Sequence, residues 1–284
     1  MTATPETYAA CEPRAGAARA SPYARHMVLP GATRSARFAA WGTAVLRGRV
    51  SIDDALDAIM GNDQLVTVSD LPDESDAASV AWGLGRLRQL GVSGLVFVPA
   101  APGDVSGLPG PLEFNAAAVR ACGAVVTTDG TPLGLIPTVE QRGSHDDLLT
   151  IVDWRAHHVA GFSAPPNESL SEAERLVMEA MHQALSDLAA LDVARWRDEV
   201  SELLQDWRRA GAWESLPPGI SERAARMIDR CERIDELLRL AAADDGAAVT
   251  AAEAVQRQAS LRPLAHAVRA GSAVAWNCGL SPVA

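Results

Sequence analysis

The stretch Ala124-Val-Val-Thr-Thr-Asp-Gly-Thr-Pro-Leu-Gly-Leu-Ile136 decides how the first half of the chain folds. Ala124 to Thr128 and Pro132 to Ile136 are short apolar runs. Asp129-Gly130 lies between them, and both residue types accept the positive φ angles of a type I′ turn, so the segment reads as a β-hairpin. A hairpin alone is marginal in water and needs further strands or a helix against one face. Such neighbours are written on both sides of it.

Upstream, Gln64 to Ser69 and Gly94 to Pro99 read as strands, and Asp76 to Leu90 as a helix ended by Gly91. A helix between two strands lets them pair in parallel through a crossover. Two shorter helices come first. Phe38, Trp41, Val45 and Leu46 recur at helical spacing, with ordered structure expected from about Ser35. Ser51 then caps a helix with Ile52, Leu56 and Ile59 inward, and Gly61 closes it. After the strand at Pro99 comes a Pro/Gly-rich loop, then a short helix from Leu112 to Ala121. Beyond the hairpin, Leu148 to Arg155 reads as the last strand. Its alternation places Asp153, Arg155 and His157 on one face and Trp154 and His158 on the other. The expectation is an α+β or α/β half with a small mixed sheet, over residues 34–160.

The period then changes. Gly161, Pro165, Pro166 and Asn167, between Val159 and Ser169, read as a linker. Ser171 with Glu174 has the spacing of a capping box, and Ala173, Leu176, Val177, Ala180, Met181, Leu185 and Leu188 form one apolar stripe. Val193, Trp196, Val200, Leu203 and Trp207 step like a heptad seam. After Gly211, Pro217 and Pro218, Ser221 opens a long helix with Ala224, Met227, Ile228, Cys231, Ile234, Leu237 and Leu238 inward. Thr250 and Glu253 form another capping box, and Pro263 predicts a kink or break near Ser260. Residues 170–278 are therefore expected to be an all-α helical bundle. Residues 1–33, rich in Ala, Pro, Thr and Arg without an apolar period, are expected to be a flexible arm.

Composition narrows the function. The 284 residues suffice for two domains, and 48% hydrophobic with 21% charged residues is a globular balance. All 25 basic residues are arginine, and the net charge of −11 argues against a nucleic-acid partner. No apolar run approaches the ~20 residues of a membrane-spanning helix. No basic segment precedes an apolar core at the start, so no secretory signal or membrane partner is expected. Cys11, Cys122, Cys231 and Cys278 lack Cys-x-x-Cys spacing and read as free thiols in a reducing compartment. The chain is expected to be cytoplasmic.

Four constellations carry chemical potential. His145, Asp146, Asp147, Asp153, His157 and His158 are metal-ligand types, but no recognised spacing orders them, and a polar strand end explains them. Glu179-x-x-His182 has the di-iron spacing without the second copy such bundles need. Arg223, Arg226, Arg230 and Arg233 line one helix face, yet Glu222, Asp229 and Asp235 each precede an arginine by four residues and form favourable pairs. No Gly-x-Ser-x-Gly elbow occurs. The fourth is the loop Pro99 to Phe114. It leaves the carboxyl end of a buried strand and enters a helix, where α/β proteins tend to hold ligands. Gly103, Gly107 and Gly110 let backbone approach a ligand, and Asp104, Ser106 and Glu113 supply polar contacts. Its spacing matches neither the dinucleotide fingerprint nor the P-loop. Trp213, between two helices, is expected to be an exposed aromatic that anchors a partner.

Phe38 and Trp41, the Pro-Gly-Asp … Gly-Leu-Pro-Gly-Pro loop, the Asp-Gly hairpin and the helical half together resemble uncharacterised conserved proteins of actinobacteria. The resemblance covers most of the chain and implies no activity. The residues point to a non-enzymatic regulatory or scaffold protein acting through protein–protein contacts, with a protein partner or a homo-oligomer. No metal or cofactor is called for. The alternative is a small-molecule sensor or enzyme using the loop 99–114.

Overall fold

The computed structural model describes residues 31–74, 76–144, 147–161, 169–190, 216–243 and 251–278. Its strands are β1 (Leu65–Ser69), β2 (Ala78–Ser79), β3 (Leu95–Pro99), β4 (Gly123–Thr127), β5 (Leu133–Ser144) and β6 (Asp147–His158). They form one mixed sheet in the order β2-β1-β6-β5-β4-β3. The Asp-Gly segment does join two antiparallel strands, with Val125 opposite Leu135. The turn is not type I′, however. Gly130 takes a φ of 65°, while Asp129 is not among the positive-φ residues. The Asp129 carboxylate instead accepts the Ser93 and Gly94 N–H groups at 2.7 and 3.2 Å, together with the Ser93 hydroxyl. Tying down the entry to β3 leaves Asp129 outside a tight two-residue turn.

The expected parallel crossover between the first two strands is not formed. β1 pairs in parallel with β6, Thr67 opposite Asp153, and β3 lies at the far edge against β4. The reason is the length of β5. It runs past Pro137 to Ser144 and pairs with all of β6, from Leu133 opposite His158 to Ser144 opposite Asp147. Proline cannot donate to a ladder. It is tolerated here because β4 pairs with Gly134 and Leu135, and the ladder does not continue to Pro137.

One face of the sheet is buried under α1 (Gly31–Leu46) and α3 (Val80–Gln89). Phe38 of α1 meets Trp154 of β6 at 4.3 Å between ring centroids, and both are fully buried. Fully burying a large apolar side chain stabilises by about 1.5–3 kcal/mol. Gly83 lets α3 close onto β1, since a Cβ there would stand 2.8 Å from Val68. α2 (Ile52–Met60) is capped as expected, the Ser51 hydroxyl accepting the Asp54 N–H at 3.1 Å. A buried ion pair, Arg34 to Asp63 at 2.8 Å, fixes the start of α1 to the approach to β1. On the opposite face, α4 (Leu112–Arg120) packs Phe114 and Ala118 against Val98, Ala124, Val126 and Ile136.

The later elements are helices: α5 (Leu170–Ala190), α6 (Glu222–Ala243) and α7 (Ala251–Asn277). The cap of α5 is Ser169, whose hydroxyl accepts the Glu172 N–H at 3.2 Å, not Ser171. Glu174 is drawn away to Arg223 of α6 at 2.6 Å. Ala173, Val177 and Ala184 are buried on α5, whereas Leu176 and Leu185 are exposed. On α6 Ala224, Met227, Ile228, Cys231 and Leu238 of the expected inward set are buried, whereas Ile234 and Leu237 are half-buried. Pro263 lies within α7, which continues through it without a break. Cys231 is a free thiol, as expected, whereas Cys122 is disulfide-bonded. Burial, with the charge of Glu232 second, pushes the Cys231 thiol up to about 12. No described helix is long and apolar enough to cross a membrane.

The chain divides into two compact units. One holds the sheet with α1 to α4, together with residues 217–220 and 276–278; the other holds the helical residues 169–190, 221–243 and 251–275. The expected seam from Val193 to Trp207, Trp213, the cap at Thr250 and most of the N-terminal arm lie outside the described residues.

Candidate functional site

The loop from Pro99 to Phe114 is a chain of tight turns that satisfies its own backbone. Ala101 and Asp104 exchange two backbone hydrogen bonds, of 3.0 and 2.9 Å, around Pro102 and Gly103. A second turn has the Leu108 N–H donating to the Val105 carbonyl at 3.2 Å across Ser106 and Gly107. Gly103 and Gly107 hold φ of 76° and 83°, the left-handed values that favour glycine in such turns. The Gly110 N–H donates to the Asn115 side chain at 3.0 Å, and Gly110–Pro111 is a cis peptide.

These bonds remove much of what an anion would need. N–H groups of Ala101, Asp104, Leu108 and Gly110 are engaged within the loop. At the start of α4, Pro111 gives no side-chain cap and Glu113 places negative charge in the first turn. Ser106 and Glu113 are exposed and Asp104 half-buried, so the loop shows polar tips without gathering them. Its apolar side chains are more prominent, with Leu112 81% and Val105 46% exposed. The loop is anchored below by Phe114, whose ring lies over Gly134 where a Cβ would come within 2.3 Å. His157 of β6 meets that ring edge-on at 5.7 Å.

A second group lies on the same face of the sheet, where β1 and β6 end. The Thr67 and Ser69 hydroxyls donate to the two oxygens of Asp153 at 2.9 and 2.6 Å. Arg155 pairs with Asp70 at 3.1 Å, and Asp70 takes a φ of 58°. Burial holds the His157 imidazole below its ordinary value, the Arg155 charge adds to this, and Asp70 opposes it. Asp153, Arg155 and His157 thus share one face, as the alternation predicts, and the Thr67 and Ser69 hydroxyls satisfy both oxygens of the Asp153 carboxylate. The pairing of Asp153 with Thr67 and Ser69 was not foreseeable while β1 was expected beside β3.

The other candidates disperse. Glu179 is bound to Arg175, and His182 is exposed. No group of three or more His, Cys, Asp or Glu suited to a metal ion occurs among the described residues. Two arginines of the stripe meet the expected acids, Arg226 with Glu222 at 3.1 Å and Arg233 with Asp229 at 2.8 Å, while Arg223 pairs with Glu174 of α5, and further along α6 Arg239 meets Asp235 at 3.3 Å. An open apolar hollow of about 470 Å³ lies between the end of α1, the start of α2 and α3, lined by Val45, Val50, Ile52, Leu84 and Arg88 among others. None of the six loop residues singled out from the sequence lines it.

These features define a class: a mixed-sheet unit carrying an ordered surface loop, followed in sequence by a helical unit. The chain belongs to the family of uncharacterised Rv1486c-like proteins, matching their N-terminal domain over residues 35–172 and their C-terminal domain over residues 171–273. It is 26% identical over 267 residues to the uncharacterised protein Rv1486c of Mycobacterium tuberculosis, covering 81% of this chain and 91% of that one. It is 23% identical over 291 residues to the uncharacterised protein ML1804 of Mycobacterium leprae, covering 86% and 96%. No solved structure matches the chain.

Proposed function

We propose that this is a non-enzymatic regulatory or scaffold protein of the cytoplasm that binds a protein partner through the loop 99–114. The observation that carries this reading is the exposure of Val105 and Leu112 on a loop whose backbone is internally bonded. An ordered loop that already satisfies its N–H groups gives up little entropy on docking, and it offers apolar contact in place of anion binding. The arginines paired with acids along α6 do not favour nucleic-acid binding.

The test is affinity capture from the native host, followed by binding measurements with the purified partner. A Val105→Glu, Leu112→Glu double variant should weaken that binding at least about tenfold while leaving the melting temperature in place. Undiminished binding by the double variant would remove the loop from the interface. A metabolite that raises thermal stability where no partner is captured would turn the reading toward a small-molecule sensor.

A further inference from the structure

The outer edge of β5 beyond Pro137 has the features of a surface made for its own copy. Along a strand the backbone N–H and C=O groups point alternately to the two sides. The Leu133 N–H donates towards β4, to the Thr127 hydroxyl, while the Pro132 carbonyl accepts from Val159 on the β6 side. The register with β6 is unbroken from Leu133 to Ser144. Odd-numbered residues therefore direct their backbone groups away from β6. β4 takes up this edge at Gly134 and Leu135, and Pro137 has no N–H to offer. Past it, Val139, Gln141 and Gly143 present N–H and C=O groups to a side where no described strand pairs.

The side chains flanking these positions are matched to a twofold arrangement. Glu140 and Arg142 are both exposed, at 55% and 64%, and are linked within the strand at 2.9 Å. Placing a second β5 antiparallel to the first with Gln141 opposite Gln141 of the copy sets Glu140 opposite Arg142, and Arg142 opposite Glu140. The central glutamines would exchange two backbone hydrogen bonds, and Val139 with Gly143 would exchange two more on each side. Opposite charges on directly facing residues stabilise an antiparallel pair, and like charges destabilise it. A one-residue change of register would lose both charge matches.

We propose that the chain forms a twofold dimer by antiparallel pairing of β5 with β5 of a second copy, centred on Gln141. The contact is isologous, so each copy supplies the same patch and the assembly closes at two. Sedimentation velocity of the full chain over a concentration series tests it. Wild type should show a concentration-dependent monomer–dimer equilibrium. Glu140→Arg alone and Arg142→Glu alone should each weaken it at least about tenfold, because each sets like charges face to face twice. The double exchange, Glu140→Arg with Arg142→Glu, should restore it. Gln141→Pro should abolish it, and amide exchange at Val139, Gln141 and Gly143 should slow as wild-type concentration rises. A wild-type chain that stays monomeric would overturn the proposal, as would a dimer indifferent to both single charge changes.

Discussion

His157 sits where three influences compete. Burial beside Phe114 and the positive charge of Arg155 favour the neutral imidazole, and Asp70 pulls the other way. Its folded pKa lies below its ordinary value of 6.5, so the unfolded chain takes up this proton more readily. Stability contributed by neutral His157 is therefore present above about pH 6.5 and declines as the pH falls below it. Proton NMR titration should find the His157 midpoint below the ordinary value of 6.5. Arg155→Gln should raise its midpoint and Asp70→Asn should lower it further. An unmoved midpoint in both variants would mean that burial acts alone. This face was legible in the sequence because a strand alternates with period two, which separates Asp153, Arg155 and His157 from Trp154. Asp70 and Phe114 lie distant in sequence, and nothing in a local period reports them.

Proline acts differently at two places, and the elements differ accordingly. In β5, Pro137 ends pairing with β4 while the strand itself runs on, so the apolar run that stops at Ile136 misses two thirds of the strand, from Pro137 to Ser144. The continuation, Thr138-Val139-Glu140-Gln141-Arg142, is mostly polar, and no apolar run marks it as strand. In α7, Pro263 is exposed and the helix persists around it. Interior proline removes one backbone hydrogen bond and costs a helix about 3 kcal/mol relative to alanine. Pro263→Ala should therefore raise the melting temperature, with helix content by circular dichroism unchanged or higher. A lower melting temperature would show that the local geometry at Pro263 is itself required. Helix capping was legible at Ser51 and Ser221, where the hydroxyl meets its N–H as the spacing predicts. It failed by two residues at α5, because Glu174 is claimed by Arg223 49 residues away.

At the scale of the whole molecule, the sheet unit includes residues from the far end of the described chain. Asn277 reaches the edge strand β3, accepting the Phe97 N–H at 3.0 Å and donating to the Phe97 carbonyl at 2.8 Å. One side-chain amide thus stands in for a neighbouring strand. Trp276 beside it is 2% exposed. Trp276→Ala should cost about 3–5 kcal/mol by denaturant unfolding, and Asn277→Ala about 1 kcal/mol. An unchanged unfolding midpoint in Trp276→Ala would remove this segment from the sheet unit's core. The two-part organisation could be read from a change of period near Ser169, but this return could not. It rests on one asparagine whose partner is 180 positions away.

That separation sets a clock during synthesis. β3 is an apolar strand, Leu95-Val96-Phe97-Val98-Pro99, and its outer edge acquires the Asn277 amide only after 180 further residues have been made. The Thr43 hydroxyl of α1 already holds Leu95 on that side, but at ~5–20 residues per second translation leaves the Phe97 position bare for roughly 9 to 36 seconds on every nascent chain. Edges of this kind are templates for pairing with other chains. On a nascent chain the Phe97 position is therefore open to wrong pairing during an interval that the finished fold no longer records.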